Sequence, residues 1–344
     1  MREIKIVICG LGKVGKEFIQ LLANRGDDIE SRYGRRFIIQ AAVDIGGAAS
    51  TNDSNGLPAA ELIGHLRRGG RVEEFKGCGR PGMTGTEAIS TTGSDVLIET
   101  TPTNLIDGEP GTRHIFTALD QGMEVVSANK GPLVLFYKEI HEKAKNKNCG
   151  IHISAASAAA LPTLDVGSVS LAGTSILSIE GILNGTTNYI LSRMTEEGCS
   201  YETALREAQR LGIAETNPDY DVEGKDTANK IFLIANRLLN NETTISDVAV
   251  TGITGVTLQD IAHAREQGKT IKLIGTAHIE DGKVKLEVAP RSLERNHPLS
   301  SVNGPEKAIT YTTDTMGRIT VMGGKSSPLG AAAAVLKDMI NAFK

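Results

Sequence analysis

The chain reads as an α/β protein: a doubly wound parallel sheet followed by an α+β domain with an open mixed sheet. Three observations predict this. Apolar strand-like runs alternate with helical runs through the first half, at Ile4–Cys9, Phe37–Val43, Asp95–Glu99, Glu124–Ser127 and Gly150–Ala155. The first run ends in a glycine-spaced turn that leads straight into helical spacing at Val14–Ala23. After about residue 155 the pattern changes: Ser154–Leu164 is dense in small residues, and longer strands follow. The expected domains are 1–150, 151–318 and a C-terminal segment, 319–344, whose apolar helix Gly330–Phe343 packs back on the first domain.

The turn is Gly10-Leu11-Gly12-Lys13-Val14-Gly15. Strand, GxGxxG, helix is the setting in which that spacing cradles a pyrophosphate, because glycine permits a tight turn and close approach to a helix N-terminus. Arg25–Arg36 is expected to be a long exposed connection to the second strand. That strand ends at Asp44, an acid placed to bond the ribose hydroxyls of NAD or to close a turn. Gly46–Gly56 and Gly77–Gly85 read as loops, Glu61–Arg68 and His114–Gln121 as helices. The segment Thr100-Thr101-Pro102-Thr103-Asn104 leaves a buried strand at the carboxyl edge, where cofactors lie in such sheets. Lys130 leaves the next strand at the same edge, either pointing into the ligand crevice or solvated on a loop, and Leu133–Lys147 reads as one helix.

The second half is organised around Gly181–Lys230. Its last sixteen residues carry Glu215, Asp219, Asp221, Glu223, Asp226, Lys225 and Lys230, broken by Pro218 and Gly224. Asp226 and Lys230 are four apart at the start of an apolar helix, so they share one face. One reading is a solvated pair with a capping aspartate. The other follows from the stripe Lys230, Ile234, Leu238, which turns the lysine toward a partly buried space where carboxylates make it a proton carrier. Further on, Ser175–Leu183, Ile271–His278, Lys283–Ala289 and Ala308–Thr313 read as strands, Thr203–Leu211 and Gln259–Gln267 as helices.

Composition narrows the function classes. The 344 residues are 40% hydrophobic and 23% charged, with a net charge of −4, which gives no electrostatic case for nucleic acid or an anionic membrane. No apolar run reaches the roughly 18 residues that span a bilayer, and no leader precedes the first strand. Cys9, Cys78, Cys149 and Cys199 are dispersed without a CxxC pair, as suits reduced thiols in a cytoplasmic protein.

The segments GILNGTTNYIL (181–191), EAQRLGIAETNPDYDVEGKDTANK (207–230), ETTPTN through SANKGPL (99–133) and HPLSSV (297–302) resemble homoserine dehydrogenase over nearly the whole chain. The resemblance implies a Rossmann domain followed by a catalytic and dimerisation domain. It also implies interconversion of L-homoserine and L-aspartate 4-semialdehyde with NAD or NADP. By the same resemblance, Lys230 transfers the proton at the carbonyl oxygen and Asp226 orients it. Lys130 lies beside substrate and nicotinamide, Glu215 and Asp221 hold the amino-acid substrate and its ammonium, and Thr186 lies in the substrate loop. A homodimer is expected from the small-residue, strand-rich region after residue 155 together with the resemblance.

The chain departs from the family pattern at two places. Ser154-Ala-Ala-Ser-Ala-Ala-Ala-Leu161 replaces a glutamate and glycine-rich turn whose carbonyls hold a monovalent cation in relatives, which puts that cation in question. Gly323-Gly-Lys-Ser-Ser-Pro-Leu-Gly330 replaces a Gly-Ala-Gly stretch that approaches the cofactor. The chain also ends after the last helix, so feedback through a C-terminal regulatory module is not expected. Two competing readings are another Rossmann semialdehyde or amino-acid dehydrogenase, which would need an activated cysteine, and a non-catalytic nucleotide sensor.

Overall fold

A computed structural model describes residues 2–240, 243–324 and 326–344. Contacts divide the chain into two units: residues up to Ala159 together with Ser327–Lys344, and Ala160–Ser326. Each is built on one sheet.

In the first unit, seven strands run β1 (Arg2–Cys9), β2 (Arg35–Asp44), β3 (Gly47–Ser50), β4 (Gly79–Pro81), β5 (Val96–Glu99), β6 (Glu124–Ser127) and β7 (Ile151–His152). Their spatial order is β4-β3-β2-β1-β5-β6-β7. The stretch from β2 to β7 is parallel, while β3 and β4 add antiparallel edge strands. The apolar runs of β1, β5 and β6 are buried throughout their centres, as a sheet covered on both faces requires. From β1 the chain moves outward to β2 and later in the other direction to β5, so right-handed crossovers put their helices on opposite faces. The carboxyl ends of β1 and β5 therefore form the switch point where ligands sit in such sheets.

Several expectations change here. Arg25–Arg36 is not a connection: a single helix runs Lys13–Tyr33, closed by Gly34 at φ +64°, and β2 starts at Arg35. Beyond Leu22, Ile29 is the helix's one fully buried residue, so a polar-looking segment is the solvent side of an extended helix. Within Gly46–Gly56, β3 turns back on β2 to complete the edge. Leu133–Lys147 is two helices, Lys130–Leu135 and Tyr137–Lys147, broken at Phe136. Strand β7 is only two residues long, and Ser154–Ala158 is helical. The terminal helix Pro328–Ala342 belongs to this unit, its Val335 and Met339 packed with Phe18 and Ile19.

The second unit holds β8 (Ile176–Ile182), β9 (Val248–Val250), β10 (Lys269–Glu280), β11 (Lys283–Glu294), β12 (Lys307–Thr313) and β13 (Arg318–Gly323), in the order β13-β12-β8-β10-β11-β9. All pairings are antiparallel except β11 with β9, so the sheet is mixed. Sequence reading missed β9 and β13. The first has three residues, and the second is an edge strand whose residues alternate between exposed and half-buried. The first part of the segment 319–344 thus completes this sheet. Helices Gly185–Glu197 and Lys225–Leu238 pack against β10.

Candidate active site

The glycine turn has a separate reason for each glycine. Gly10 stands at φ +94°, and a Cβ there would lie 2.5 Å from the Thr101 nitrogen on the turn after β5. At Gly15 a Cβ would lie 2.1 Å from the Gly10 carbonyl oxygen, so this residue lets the helix seat on the turn. Gly12 meets nothing within 4 Å. It is exposed and caps the helix Lys13–Tyr33 without any side-chain bond, so no side chain of the cap occupies the first N–H groups of the helix. Leu11 is buried in the core, so only its backbone serves the turn. That arrangement fits a pyrophosphate.

Beside it, Thr100 donates its hydroxyl to the carbonyl of Gly10 at 2.7 Å, tying the two turns together. Thr101 is half-buried and Pro102 exposed at the same edge. Asp44 ends β2, exposed, with Oδ1 accepting from the Ile45 N–H at 3.0 Å. Arg35 and Arg36 stand at the other end of that strand, the first on the Phe343 carbonyl and the second on Glu3. Arg71 lies against Gly46 but is ion-paired with the buried Glu73. Lys130 begins its helix behind Asn129, whose side chain caps it by accepting from the Gly131 N–H at 3.0 Å.

The second unit carries a polar cleft of about 540 Å³ lined by Asn184, Thr186, Asp221, Lys230, Glu306 and Gly324 among others. Lys230 is fifteen per cent exposed; its Nζ donates to Asp226 Oδ2 at 2.5 Å and to the Leu183 carbonyl at 2.8 Å. Asp226 is buried at the first turn of its helix, where a carboxylate also meets the positive helix end. Asn184 then joins two acids, donating from one Nδ2 to Asp221 at 2.7 Å and to Asp226 at 2.9 Å, while its Oδ1 caps the helix Gly185–Glu197. Burial, and after it the charge of Asp226, raises the proton affinity of Asp221 above the usual aspartate range. Thr186 bonds the Ile213 carbonyl at 3.1 Å on the far wall. The helix opens at Lys225, and before it Asp219 and Asp221 stand on the short helix Asp219–Val222.

The chain also matches known proteins. The family model for homoserine dehydrogenase matches residues 162–340. A curated homoserine dehydrogenase of Methanocaldococcus jannaschii is 39% identical over 338 residues, 98% of each chain. The chain belongs to the homoserine dehydrogenase family. The NAD(+)-dependent homoserine dehydrogenase of Pseudomonas canavaninivorans is 35% identical over 99% of this chain and 96% of its own. A crystal structure of a homoserine dehydrogenase from Thiobacillus denitrificans superposes with a TM-score of 0.85 at 27% identity, covering 99% of this chain and 73% of that one.

Within this family member, the sequence-predicted residues fall into two groups. Asp221, Lys230 and Thr186 line the cleft, and Asp226 is buried behind it on Lys230. Glu215 does not line it: the residue is exposed, and its carbonyl accepts from Gln209. The other group, Gly10 to Gly15, Asp44, Thr101, Pro102 and Lys130, stands at the carboxyl edge of the first sheet. Two residues escaped sequence reading. Asn184 sits in a motif quoted as a whole, and its bridging role depends on acids 37 and 42 residues away. Lys307 is two per cent exposed at the start of β12 and feels the charges of Lys230 and Asp226; burial lowers its pKa to about 8. The HPLSSV motif proves architectural, since Leu299 and Val302 are core residues and the Val302 carbonyl takes the buried Lys272 ammonium at 2.6 Å.

Proposed function

We propose that this chain interconverts L-homoserine and L-aspartate 4-semialdehyde with a nicotinamide dinucleotide, the first unit binding the nucleotide and the second the amino acid. The reaction lies on the route to threonine and methionine. The observation that carries this reading is Lys230 on the wall of a polar cleft, ion-paired with the buried Asp226. Homoserine presents a carboxylate, an ammonium and a hydroxyl, and the cleft offers groups of both signs. The turn Gly10 to Gly15 would hold a dinucleotide whose nicotinamide would supply the hydride acceptor for the hydroxyl-bearing carbon and, in reverse, the hydride donor for the aldehyde. As the neutral amine Lys230 takes the hydroxyl proton in oxidation, and as the ammonium it gives that proton to the carbonyl oxygen in reduction while stabilising charge there. Asp226 and the Leu183 carbonyl fix the direction of its Nζ. Asp221 receives the substrate ammonium, with Thr186 beside it; Glu215 joins them only by a movement of its exposed segment. Lys130 contributes cationic charge near the nicotinamide.

NAD is accepted at least as well as NADP in this proposal. Asp44 opposes a 2′-phosphate, Arg35 and Arg36 are at the opposite strand end, and Arg71 is held by Glu73. A monovalent cation at residues 154–161 is no part of this proposal. A thiol mechanism is disfavoured: burial pushes up the Cys9 and Cys149 thiols. We further propose a homodimer built through the second unit, tested by light scattering at micromolar concentration, and a cytoplasmic setting, in keeping with four cysteines that form no disulfide. Among the described residues no helix is long and apolar enough to cross a membrane. The direct test is reduction of NAD and of NADP, run side by side, on adding L-homoserine. Reduction of neither overturns the proposal.

A further inference from the structure

Glu99 is a fully buried carboxylate at the carboxyl end of β5, and none of the chemistry above uses it. Its Oε1 accepts from the Thr101 N–H at 2.8 Å, from the Thr101 hydroxyl by a short bond, and from Asn129 Nδ2 at 3.4 Å. Its Oε2 meets His114 Nδ1 at 2.8 Å. Asn129, one per cent exposed, also donates to the Thr101 hydroxyl at 3.0 Å. The same Asn129 caps the helix that begins at Lys130. One carboxylate thus joins the turn after β5 to the turn after β6.

The packing around it leaves no slack. A Cβ at Gly85 would fall 2.2 Å from His114 Nε2, one at Gly111 would fall 2.5 Å from Asn129 Nδ2, and one at Gly131 would fall 2.2 Å from the Asn104 carbonyl oxygen. Three glycines therefore clear space for the network and press the two turns together. A buried carboxylate is costly unless its lone pairs are filled; this one has donors from three segments. Cys9 Sγ completes a group of metal-type atoms with Glu99 and His114, all within 4.8 Å of one another. Both carboxylate oxygens already accept hydrogen bonds, so a hub of hydrogen bonds accounts for the group without a metal.

We propose that Glu99 is a positioning residue: it locks the Thr101 and Lys130 turns into one rigid edge, and so sets nucleotide affinity and the placement of Lys130. The inference rests on the nucleotide-binding reading of the first unit. Wild-type turnover of homoserine tests that reading by itself, and the variants are judged only against wild type.

Two variants test the lock. Asn129→Ala removes the tie between the turns and the cap of the Lys130 helix. Glu99→Gln keeps shape and folding while removing the charge. NADH binding is followed by its fluorescence, together with kcat, the KM of each substrate and Tm. Because small displacements of a positioned group cost up to about 10²-fold, Asn129→Ala is expected to weaken NADH binding and lower kcat, each by about tenfold. Homoserine KM should stay within twofold. Glu99→Gln should shift both in the same direction by a smaller factor, since its amide oxygen still accepts from Thr101. If both variants keep wild-type NADH affinity and both KM values, and lose only Tm or active fraction, the network is merely structural and the proposal fails. It fails equally if the purified protein carries a stoichiometric metal whose removal by chelation abolishes NADH binding, because Glu99 would then be a ligand.

Discussion

The two helices that open onto the proposed sites both begin on an uncapped glycine, and there the likeness ends. Gly12 is exposed with open space where its Cβ would be; Gly224 stands at φ +84° and is packed against Val250 and Val288. The helix Lys13–Tyr33 has no acid in its first turn and no side-chain cap on its backbone N–H groups. The helix Lys225–Leu238 opens with Asp226, and its chemistry lies in side chains. One site is made of backbone and absence, the other of buried charge. The first tolerates no bulk and the second tolerates no loss of charge, and substitutions should tell them apart.

The largest expected effect belongs to the charged site. Lys230→Ala should lower kcat by about 10²–10⁴-fold, roughly 3–5 kcal/mol of transition-state stabilisation. NADH affinity should be unchanged, since the glycine turn belongs to the other unit. Asp226→Asn should cost less, because it only misdirects the lysine. A folded Lys230→Ala protein with kcat within a few-fold of wild type would break the comparison and leave Lys130 as the lysine candidate.

Buried charge in the second unit should also register in stability. Lys272 and Lys307 are one and two per cent exposed, and burial lowers the pKa of each to about 8 from 10.5. Between those values the unfolded chain binds more protons than the folded one, so stability rises with pH across the window. Each lysine contributes a rise of up to about 3 kcal/mol. Urea unfolding at about pH 7.5 and pH 10 should show the gain in wild type, reduced in Lys272→Met and in Lys307→Met. An equal gain in both variants would mean that these ammonium groups are not desolvated.

The backbone site is sharpened by a pair of glycine variants. Gly15→Val places a side chain on the Gly10 carbonyl and should lower Tm severely or prevent folding. Gly12→Val meets nothing in the protein, so Tm should stay within a degree or two while NADH affinity falls about tenfold, close to 1.4 kcal/mol. Unchanged affinity in a folded Gly12→Val protein would remove the pyrophosphate from this turn.

The same contrast explains what was legible in the sequence. The proposed backbone site is local: strand, glycine spacing and helix lie within one short run, so the placing of Gly10 to Gly15 on one strand-to-helix turn was legible. The charged site is assembled from three segments. Asp226 and Lys230 were readable because a helix repeats every 3.6 residues. Asn184 and Lys307 were not, because their partners are set by the register of β12 on β8 and by the seating of one helix on another, which periodicity does not encode. Glu215 shows the converse, since membership in a charged motif did not place it in the cleft. In the fold, the long helix past Arg25 was hidden because Ile29 is the one residue there that reports a buried face.

The smallest effect concerns Asp221, where binding and stability should pull apart. Its carboxylate is desolvated and close to Asp226, so its pKa is raised and its ionised form costs folding energy at neutral pH. A carboxylate with a raised folded pKa favours the folded state below its unfolded pKa, and that contribution is lost as pH rises through the folded value. Asp221→Asn keeps the shape and leaves Asn184 an oxygen to bond. It should therefore raise Tm at pH 7, and the gain should disappear as pH falls below the ordinary aspartate range. Homoserine KM should rise several-fold with a smaller change in kcat, because the ammonium loses its partner. A lower Tm at pH 7 would show that the Asn184 bond outweighs desolvation. An unchanged KM would move the substrate ammonium elsewhere, with the exposed Glu215 next in line.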